Sequence, residues 1–264
     1  MARHRADVVL ADRGLFPSRE QAKAAIIAGQ VRVDGELVKK AGQDVDPAAE
    51  FEIEQRSRFV SRGGQKLDGA LETFGVDVAG LRGIDVGAST GGFTDRLLQG
   101  GAVSVCAVDV GYGQLAWELR NDERVAVFER TNIRHADPQV LGAPFDIAVI
   151  DVSFIGLAKV LPHVLPMLTD EGQLVALVKP QFEAGKGRVG KKGVVRDAQV
   201  HTDVLDAICR VITDSDLVVR GLTWSPIKGP EGNIEFWVWA SRAGKSVVET
   251  PGSIVEHAHK TLGD

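Results

Sequence analysis

The sequence of 264 residues has little of several features that would restrict its function. It has two cysteines, Cys106 and Cys209, far apart, which excludes a disulfide scaffold or a cysteine zinc cluster and predicts a reducing compartment, the cytoplasm. No apolar run approaches the ~18 residues of a membrane-spanning helix. The net charge is -5, so any nucleic-acid binding must depend on local basic patches. The six histidines are scattered, and His257 and His259 are expected to be a solvated surface pair.

Hydrophobic residues make up 44% and charged residues 25% of the chain, which is long enough for one large and one small globular domain. The first ~55 residues predict a small α+β unit. A helix is expected between Ser18, which can cap it, and Gly29, which can end it. Asp34-Gly35 is a hairpin turn signal, and strands are expected at residues 31–33, 36–38 and 51–53.

The second part of the chain begins near residue 63 and alternates apolar, strand-like runs with helical segments after a first helix at residues 65–74. The predicted strands lie at residues 83–86, 103–108, 125–128, 145–150, 174–178, 217–222 and 234–239. Such alternation is typical of an α/β domain with a mostly parallel sheet, here of seven strands, covered by helices on both faces. Ligands of these sheets bind beyond the carboxyl ends of the strands.

A glycine-rich turn follows the first of these strands, within residues 85–94. Glycines let the backbone approach a ligand closely, and the start of a helix offers free amide groups. Asp109, at the end of the next strand, can accept hydrogen bonds from both hydroxyls of a ribose. We therefore predict an adenosine-containing ligand. The predicted ligand-binding residues are Asp85, Gly87, Ala88, Ser89, Gly91, Gly92, Phe93, Asp109 and Asp151.

Four ionisable residues occupy informative places in the second part. Asp151 and Lys179 stand where apolar strands stop, Lys66 is near the start of the first helix, and Glu235 is near the start of the last strand. Any one of them alone is more often a surface charge than a functional residue. Taken together, beside a glycine-rich turn of this kind, they are candidate catalytic residues.

These residues carry a resemblance to known families. Residues 63–240 resemble the FtsJ-type ribose 2′-O-methyltransferases, which use a Lys-Asp-Lys-Glu tetrad in this order, and the matching residues are Lys66, Asp151, Lys179 and Glu235. Residues 5–54 resemble the S-four RNA-binding domain, through Ser18-Arg19, Gln21-Ala22 and residues 31–35. The two domains in this order, with the motifs at residues 61–67, 109–115 and 179–183, are similar to the TlyA family, which is often labelled haemolysin.

The resemblance implies an RNA-binding domain at residues 1–58 and a Rossmann-like, S-adenosylmethionine-dependent methyltransferase domain at residues 59–264. It implies methyl transfer from S-adenosylmethionine to a ribose 2′-hydroxyl of ribosomal RNA, which is a cytidine hydroxyl in characterised members, within ribosomal subunits. No metal is expected, because the sulfonium of the methyl donor is already activated.

The tetrad can be given roles on chemical grounds. A ribose hydroxyl is a poor nucleophile until its proton is removed or strongly hydrogen-bonded. Lys179 is the candidate base, and Lys66 would disfavour its protonated form. Asp151 and Glu235 would position the lysines and the hydroxyl.

Local positive charge predicts where RNA binds. Arg19 and Lys23 are four residues apart, on one face of the helix expected between Ser18 and Gly29. A second basic stretch, residues 185–196, contains glycines and is expected to be a mobile loop beside the catalytic edge. The predicted RNA-binding residues are Arg3, Arg5, Arg19, Lys23, Arg32, Lys186, Arg188, Lys191, Lys192 and Arg196. Phe182 could stack on a base, although a packed aromatic is more common.

Three other functions compete with ribose methylation: methylation of a base, on an amine or on a carbon, membrane activity, and RNA binding without catalysis. Amine methylation usually shows an Asn/Asp-Pro-Pro-aromatic run, and residues 151–154, Asp-Val-Ser-Phe, lack both prolines. Carbon methylation needs a cysteine nucleophile, whereas Cys106 and Cys209 are expected in the core. A membrane-active, haemolysin-like protein would need a cationic amphipathic or spanning helix. An RNA-binding assembly factor without catalysis would keep its function after the glycine-rich turn is disrupted.

Overall fold

The structure, a computed structural model, describes residues 4–27, 29–53, 58–185, 187–246 and 249–263. Contacts between Cα atoms divide the chain into two compact units, Met1–Arg58 and Phe59–Asp264. Each unit has its own hydrophobic core. In the described part of the chain, no helix is long and apolar enough to cross a membrane.

The first unit packs two helices against short antiparallel strands. Its elements are β1 (His4–Arg5), α1 (Ala6–Asp12), α2 (Arg19–Ile27), β2 (Val31–Val33), β3 (Glu36–Leu37), β4 (Asp44–Val45) and β5 (Phe51–Ile53). Strand β2 lies between β3 and β5, and β1 pairs with β4. The Oγ of Ser18 accepts a hydrogen bond from the Gln21 amide at 3.3 Å, as the capping pattern predicts. Asp34 and Gly35 both have positive φ and form the predicted turn between β2 and β3.

The second unit alternates strands and helices along most of its length. Its helices are α3 (Arg62–Phe74), α4 (Gly92–Gln99), α5 (Trp117–Arg120), α6 (Pro138–Leu141), α7 (Leu161–Val164), α8 (Pro180–Glu183), α9 (Ala198–Thr213) and α10 (Pro251–Leu262). Its strands are β6 (Arg82–Val86), β7 (Ser104–Val108), β8 (Val125–Phe128), β9 (Phe145–Ile150), β10 (Leu168–Val178), β11 (Val218–Trp224) and β12 (Phe236–Ser241). They form the seven-stranded sheet predicted, in the order β11-β12-β10-β9-β6-β7-β8.

The sheet is mostly parallel and is covered on both faces. Strands β6 to β10 pair in parallel, and β12 is antiparallel to β10 and β11. In β9, Ile147 and Val149 belong to the core that also contains α3 and α4, whereas Ala148 and Ile150 belong to the core that contains α9 and α10. The carboxyl ends of β6, β7, β9 and β10 therefore lie along one edge and bring their loops together.

Helix α3 begins earlier than the sequence pattern predicts, at Arg62 instead of Gln65. The added turn includes Gly64, which approaches a neighbouring ring closely. A Cβ on Gly64 would lie 2.3 Å from the ring of Phe59. The glycine is therefore a packing residue inside the helix.

The last strand begins later than predicted, at Phe236 instead of residue 234. Glu235 consequently lies just before β12 and not inside it. Its carbonyl oxygen still accepts a hydrogen bond from the Ser225 amide at 2.8 Å. The backbone of Glu235 is therefore held by the chain that leaves β11.

The prediction of a solvated histidine pair is right for His257 and wrong for His259. His257 is exposed on α10. The Nε2 atom of His259 lies 2.9 Å from Nδ1 of His201, which is fully buried in α9. Burial, and secondarily the neighbouring His259, lowers the pKa of His201 to about 4. His259 thus joins α10 to α9.

Candidate active site

The glycine-rich turn after β6 contains two glycines with positive φ that approach neighbouring groups closely. Gly87 has a φ of 90°, and a Cβ there would lie 2.4 Å from the carbonyl oxygen of Asp151. Gly91, with a φ of 93°, precedes α4, and a Cβ there would lie 2.3 Å from Leu119. Only glycine fits these positions, so the turn presents its backbone to the carboxyl edge of the sheet.

Asp85 lies behind this turn. Its side chain is fully buried, and its Oδ2 accepts hydrogen bonds from the Thr94 amide at 2.9 Å and the Thr94 hydroxyl at 2.7 Å. Burial raises the pKa of Asp85 to about 7. The carboxyl therefore fixes the start of α4 from inside the protein, and its expected contact with the ligand stays a prediction.

Asp109 joins the glycine-rich turn to the turn that follows β7. Its Oδ2 accepts a hydrogen bond from the Ser89 amide at 2.8 Å, and its Oδ1 accepts one from the Gly111 amide at 2.6 Å. The carboxylate also lines a cavity of about 480 Å³. It is therefore placed by backbone amides at the position where the sequence predicts a ribose contact.

Two cavities open at the carboxyl edge of the sheet. The larger, of about 480 Å³, is lined partly by Asp109, Val110 and Ile133. The smaller, of about 340 Å³, contains Lys66. The predicted ligand-binding residues that line at least one cavity are Gly87, Ala88, Ser89, Gly92, Phe93, Asp109 and Asp151. Asp151 lines both, so the two cavities meet at the end of β9.

The four predicted catalytic residues form two lysine–carboxylate pairs. Nζ of Lys66, on α3, lies 2.5 Å from Oε2 of Glu235, and the two side chains are 9% and 1% exposed. Nζ of Lys179 contacts Oδ1 of Asp151. Each carboxylate therefore holds one lysine beside the turn, and Lys66 and Asp151 share the smaller cavity. A buried pair of this kind is costly to break, because the remaining charge would be left without a partner.

Two residues of the site carry no signal in the sequence. The Oγ of Ser153 accepts a hydrogen bond from Nζ of Lys179 at 3.0 Å. Phe154 is 91% exposed, has a φ of 65° and lines the larger cavity. Its ring centroid lies 5.1 Å from that of Phe182. An apolar residue just after an apolar strand is normally read as core, so only the structure shows this exposed ring.

Asn233 is a further residue that sequence reasoning missed. It is 1% exposed, its Oδ1 accepts a hydrogen bond from the Val195 amide at 2.9 Å, and its Nδ2 donates to the Gly193 carbonyl at 3.0 Å. These bonds anchor the end of the basic stretch 185–196, which was expected to be a mobile loop. Asn233 also lies two residues before Glu235, so it ties this stretch to the chain that carries the Lys66 pair.

The predicted RNA-binding residues of the basic stretch 185–196 differ in their surroundings. Arg188 is paired with Asp203 of α9, and Lys192 and Arg196 are exposed. Lys192 has a φ of 63°. Lys186 and the side chain of Lys191 lie outside the described residues.

In the first unit, one buried carboxylate brings two of the predicted arginines together. Asp7 is 3% exposed, and its Oδ2 lies 2.9 Å from Arg5 and 3.5 Å from Arg19. Lys23 is exposed one turn further along α2, and Arg32 is exposed on β2. Arg3 lies outside the described residues.

The strand order and the site together define the class of this protein. Counted from β6, the order is 3-2-1-4-5-7-6, with only the seventh strand antiparallel. A solved structure of a candidate S-adenosylmethionine-dependent methyltransferase from Listeria monocytogenes shares this fold, with a TM-score of 0.52 at 12% identity over 69% of this chain and 99% of its own. With the FtsJ-like methyltransferase pattern that residues 59–242 match, the fold and the glycine-rich site define an S-adenosylmethionine-dependent methyltransferase.

The chain belongs to the FtsJ-like methyltransferase family, whose pattern matches residues 59–242, and the S4 domain pattern matches residues 5–51. It is 49% identical to the 16S/23S rRNA (cytidine-2′-O)-methyltransferase TlyA of Mycobacterium tuberculosis, over 99% of this chain and 98% of that protein. It is 39% identical to Hemolysin A of Brachyspira hyodysenteriae, over 88% and 97%. A solved candidate hemolysin from Streptococcus thermophilus is 44% identical, with a TM-score of 0.76 over 99% and 98%.

Proposed function

We propose that this protein transfers a methyl group from S-adenosylmethionine to the ribose 2′-hydroxyl of a cytidine in ribosomal RNA. The observation that carries the proposal is the joining of Lys66 with Glu235 and of Lys179 with Asp151 beside the glycine-rich turn. The similarity to TlyA, an rRNA (cytidine-2′-O)-methyltransferase, supports the choice of RNA and base.

The residues around the larger cavity fit the methyl donor. Gly87 brings backbone to the cavity wall without a side chain, and Asp109 offers carboxylate oxygens that can accept hydrogen bonds from ribose hydroxyls. Val110 and Ile133 supply apolar wall against which a purine ring can pack. When bound, S-adenosylmethionine supplies an electrophilic methyl group on its sulfonium. We assign Ser89 and Asp151, which line both cavities, to the same binding site.

The chain's own residues orient the hydroxyl and take its proton. We assign Lys179, in its neutral amine form, to accept the proton from the 2′-oxygen as that oxygen attacks the methyl carbon in line and the bond from this carbon to the sulfonium sulfur breaks. Asp151 and Ser153 hold Nζ of Lys179 at the edge of the cavities. Lys66, which is paired with Glu235, lines the smaller cavity, and we assign this pair to positioning the ribose.

RNA contacts are assigned to both parts of the chain. We propose that residues 1–58 are the RNA-binding domain and residues 59–264 the methyltransferase domain. Arg5 and Arg19, both held by Asp7, would contact phosphates, with Lys23 and Arg32. The basic stretch 185–196 would contact phosphates beside the catalytic edge. The exposed ring of Phe154 can stack on a base.

The proposed substrate is ribosomal RNA within ribosomal subunits, which places the reaction in the cytoplasm. The test supplies labelled S-adenosylmethionine with separate small and large subunits and then digests the RNA with alkali. A 2′-O-methyl group blocks cleavage at its own phosphodiester, so we expect the label in alkali-resistant dinucleotides. Label in mononucleotides would show methylation of a base and would overturn the proposal.

A further inference from the structure

We propose that Glu183 is a positioning residue for Lys179: it clamps the segment after β9 to the helical turn after β10 and thereby holds Nζ of Lys179 in place. The inference rests on the proposed catalytic role of Lys179. Glu183 is the last residue of the sequence Lys-Pro-Gln-Phe-Glu at residues 179–183. The catalytic step proposed for Lys179 does not involve it.

On one side of the clamp, Lys179 and Glu183 are joined by a single rigid turn. Lys179 precedes α8, and its carbonyl oxygen accepts a hydrogen bond from the Phe182 amide at 2.9 Å. The Ala184 amide donates to the Pro180 carbonyl at 2.9 Å. Pro180 is buried and has a fixed φ. A displacement of the Glu183 end of this turn therefore also displaces Lys179.

On the other side, Glu183 holds the segment that follows β9. Its Oε1 accepts a hydrogen bond from the Leu157 amide at 2.8 Å. Its Oε2 lies so close to Gly156 that a Cβ there would come within 2.8 Å of this oxygen. A side chain at position 156 would push the carboxylate away, so the glycine and the glutamate form one contact.

These contacts complete a closed ring. From Lys179 the chain runs through α8 to Glu183, whose side chain bonds Leu157, and from there back to Ser153, whose Oγ accepts from Nζ of Lys179 at 3.0 Å. The rings of Phe154 and Phe182 pack against each other between the two segments. Glu183 bonds the Leu157 amide, whereas Nζ of Lys179 bonds Ser153, so Glu183 acts on the reacting atoms only through Lys179 and Ser153.

The clamp needs an oxygen acceptor and does not need a charge. Burial raises the pKa of Glu183, and the hydrogen bond from Leu157 opposes this rise. A neutral amide at this position would keep the acceptor for the Leu157 amide. Glutamine should therefore replace Glu183 in function, whereas alanine would leave that amide without its partner.

The first test compares Glu183→Ala and Glu183→Gln in the full-length protein. The measurements are the single-turnover rate of methylation at saturating RNA and S-adenosylmethionine, and the two dissociation constants. We expect Glu183→Ala to lower the rate at least about tenfold, with both dissociation constants within about twofold of wild type, because a misplaced base slows only the chemical step. We expect Glu183→Gln to keep a rate within about threefold of wild type. Glu171→Ala, which removes an exposed glutamate from β10, is the matched control and should leave all three values unchanged.

The second test approaches the clamp from its other side. Gly156→Ala should displace the carboxylate and reproduce the slow step of Glu183→Ala. The double variant should be no slower than either single variant, because both changes remove the same contact. Additive losses, or a Glu183→Ala rate equal to that of wild type, would overturn the clamp.

A Lys179→Ala variant measured in parallel separates the two proposals. If Lys179→Ala is inactive and Glu183→Ala is fully active, the clamp is wrong and the catalytic role of Lys179 stands. If Lys179→Ala is itself active, the proposed function of Lys179 fails, whatever the Glu183 variants do.

Discussion

Asp85 and Asp109 are two carboxylates at neighbouring strand ends with different surroundings. Asp85 is fully buried, and its Oδ1 has no hydrogen-bond partner among the described residues. Asp109 lines the larger cavity and accepts hydrogen bonds from two backbone amides. The first residue is therefore suited to stabilising the turn, and the second to meeting a ligand.

The buried Asp85 predicts a pH dependence of stability. Its pKa is about 7 in the folded protein against 3.8 as the ordinary value, so the folded state binds more protons between these two pH values. Its stabilising contribution is complete below pH 4 and is lost as the pH rises to 7. We expect Asp85→Asn, which cannot ionise, to gain stability relative to wild type over this range, by roughly 4 kcal/mol at most. Urea unfolding at several pH values measures this difference, and a difference independent of pH would contradict the assignment.

Asp109 predicts a loss of cofactor affinity. In Asp109→Ala the charged acceptor for the ribose hydroxyls is gone, which costs about 1.5–3 kcal/mol of binding. Asp109→Asn keeps one oxygen acceptor and should lose less. Titration calorimetry with S-adenosylmethionine gives both values. Wild-type affinity in the alanine variant would place the ribose elsewhere.

At the scale of elements, the sequence identifies the strands and the glycine-rich turn better than it identifies the contacts between segments that are distant in the chain. The alternation of apolar runs predicts all seven strands of the large sheet, because central strands such as β9 and β10 give apolar residues to the cores on both faces. Gly64 lies outside the predicted helix of residues 65–74, because a glycine pattern does not reveal that the ring of Phe59 occupies the space of a Cβ. The anchoring of the basic stretch by Asn233 was missed for a related reason, because hydrogen bonds to backbone leave no spacing pattern.

The contact between α9 and α10 predicts a pH dependence of stability that is opposite in sign to the one predicted for Asp85. His201 has a pKa of about 4 in the folded protein against an ordinary 6.5, so the unfolded chain binds more protons between these values. Its contribution to stability is present above pH 6.5 and is lost as the pH falls to 4. We expect wild type to lose up to roughly 3 kcal/mol relative to His201→Gln over this range.

Unfolding by urea between pH 4.5 and 7 tests this expectation. His257→Gln, on the exposed side of α10, is the matched control and should show the same pH dependence as wild type. If the two glutamine variants behave alike, the buried pair of His201 and His259 does not control the stability of this contact.

At the scale of the whole molecule, the active site joins distant parts of the chain. Lys66 and Glu235 are separated by 169 residues, yet their side chains touch. The order of lysines and carboxylates in the sequence is sufficient to identify the four residues as candidates through the family resemblance. It does not show which carboxylate holds which lysine, because that depends on where α3 lies relative to the start of β12 and to the ends of β9 and β10.

The division of the chain predicts separable binding functions. Removing residues 1–58 should weaken RNA binding and reduce its dependence on salt, because fewer phosphate contacts release fewer counterions. The affinity for S-adenosylmethionine should be unchanged, since the cavities are lined by residues of the second unit. RNA binding at several salt concentrations, for the full chain and the truncated chain, measures the effect. An unchanged salt slope would mean that the first unit does not contact phosphates.

The most direct test of the account is the single-turnover rate of methylation by Lys179→Ala and Lys179→Arg with RNA and S-adenosylmethionine both saturating. Lys179→Ala removes the group that accepts the hydroxyl proton, a role worth about 10²–10⁴-fold in rate, and leaves the turn and Asp109 intact, so both ligands should still bind. Arginine keeps the positive charge beside Asp151 but stays protonated and cannot act as a base. The account predicts that both variants are slow to a similar degree. A rate near wild type for Lys179→Arg would contradict it, because the lysine would then serve only as a positive charge.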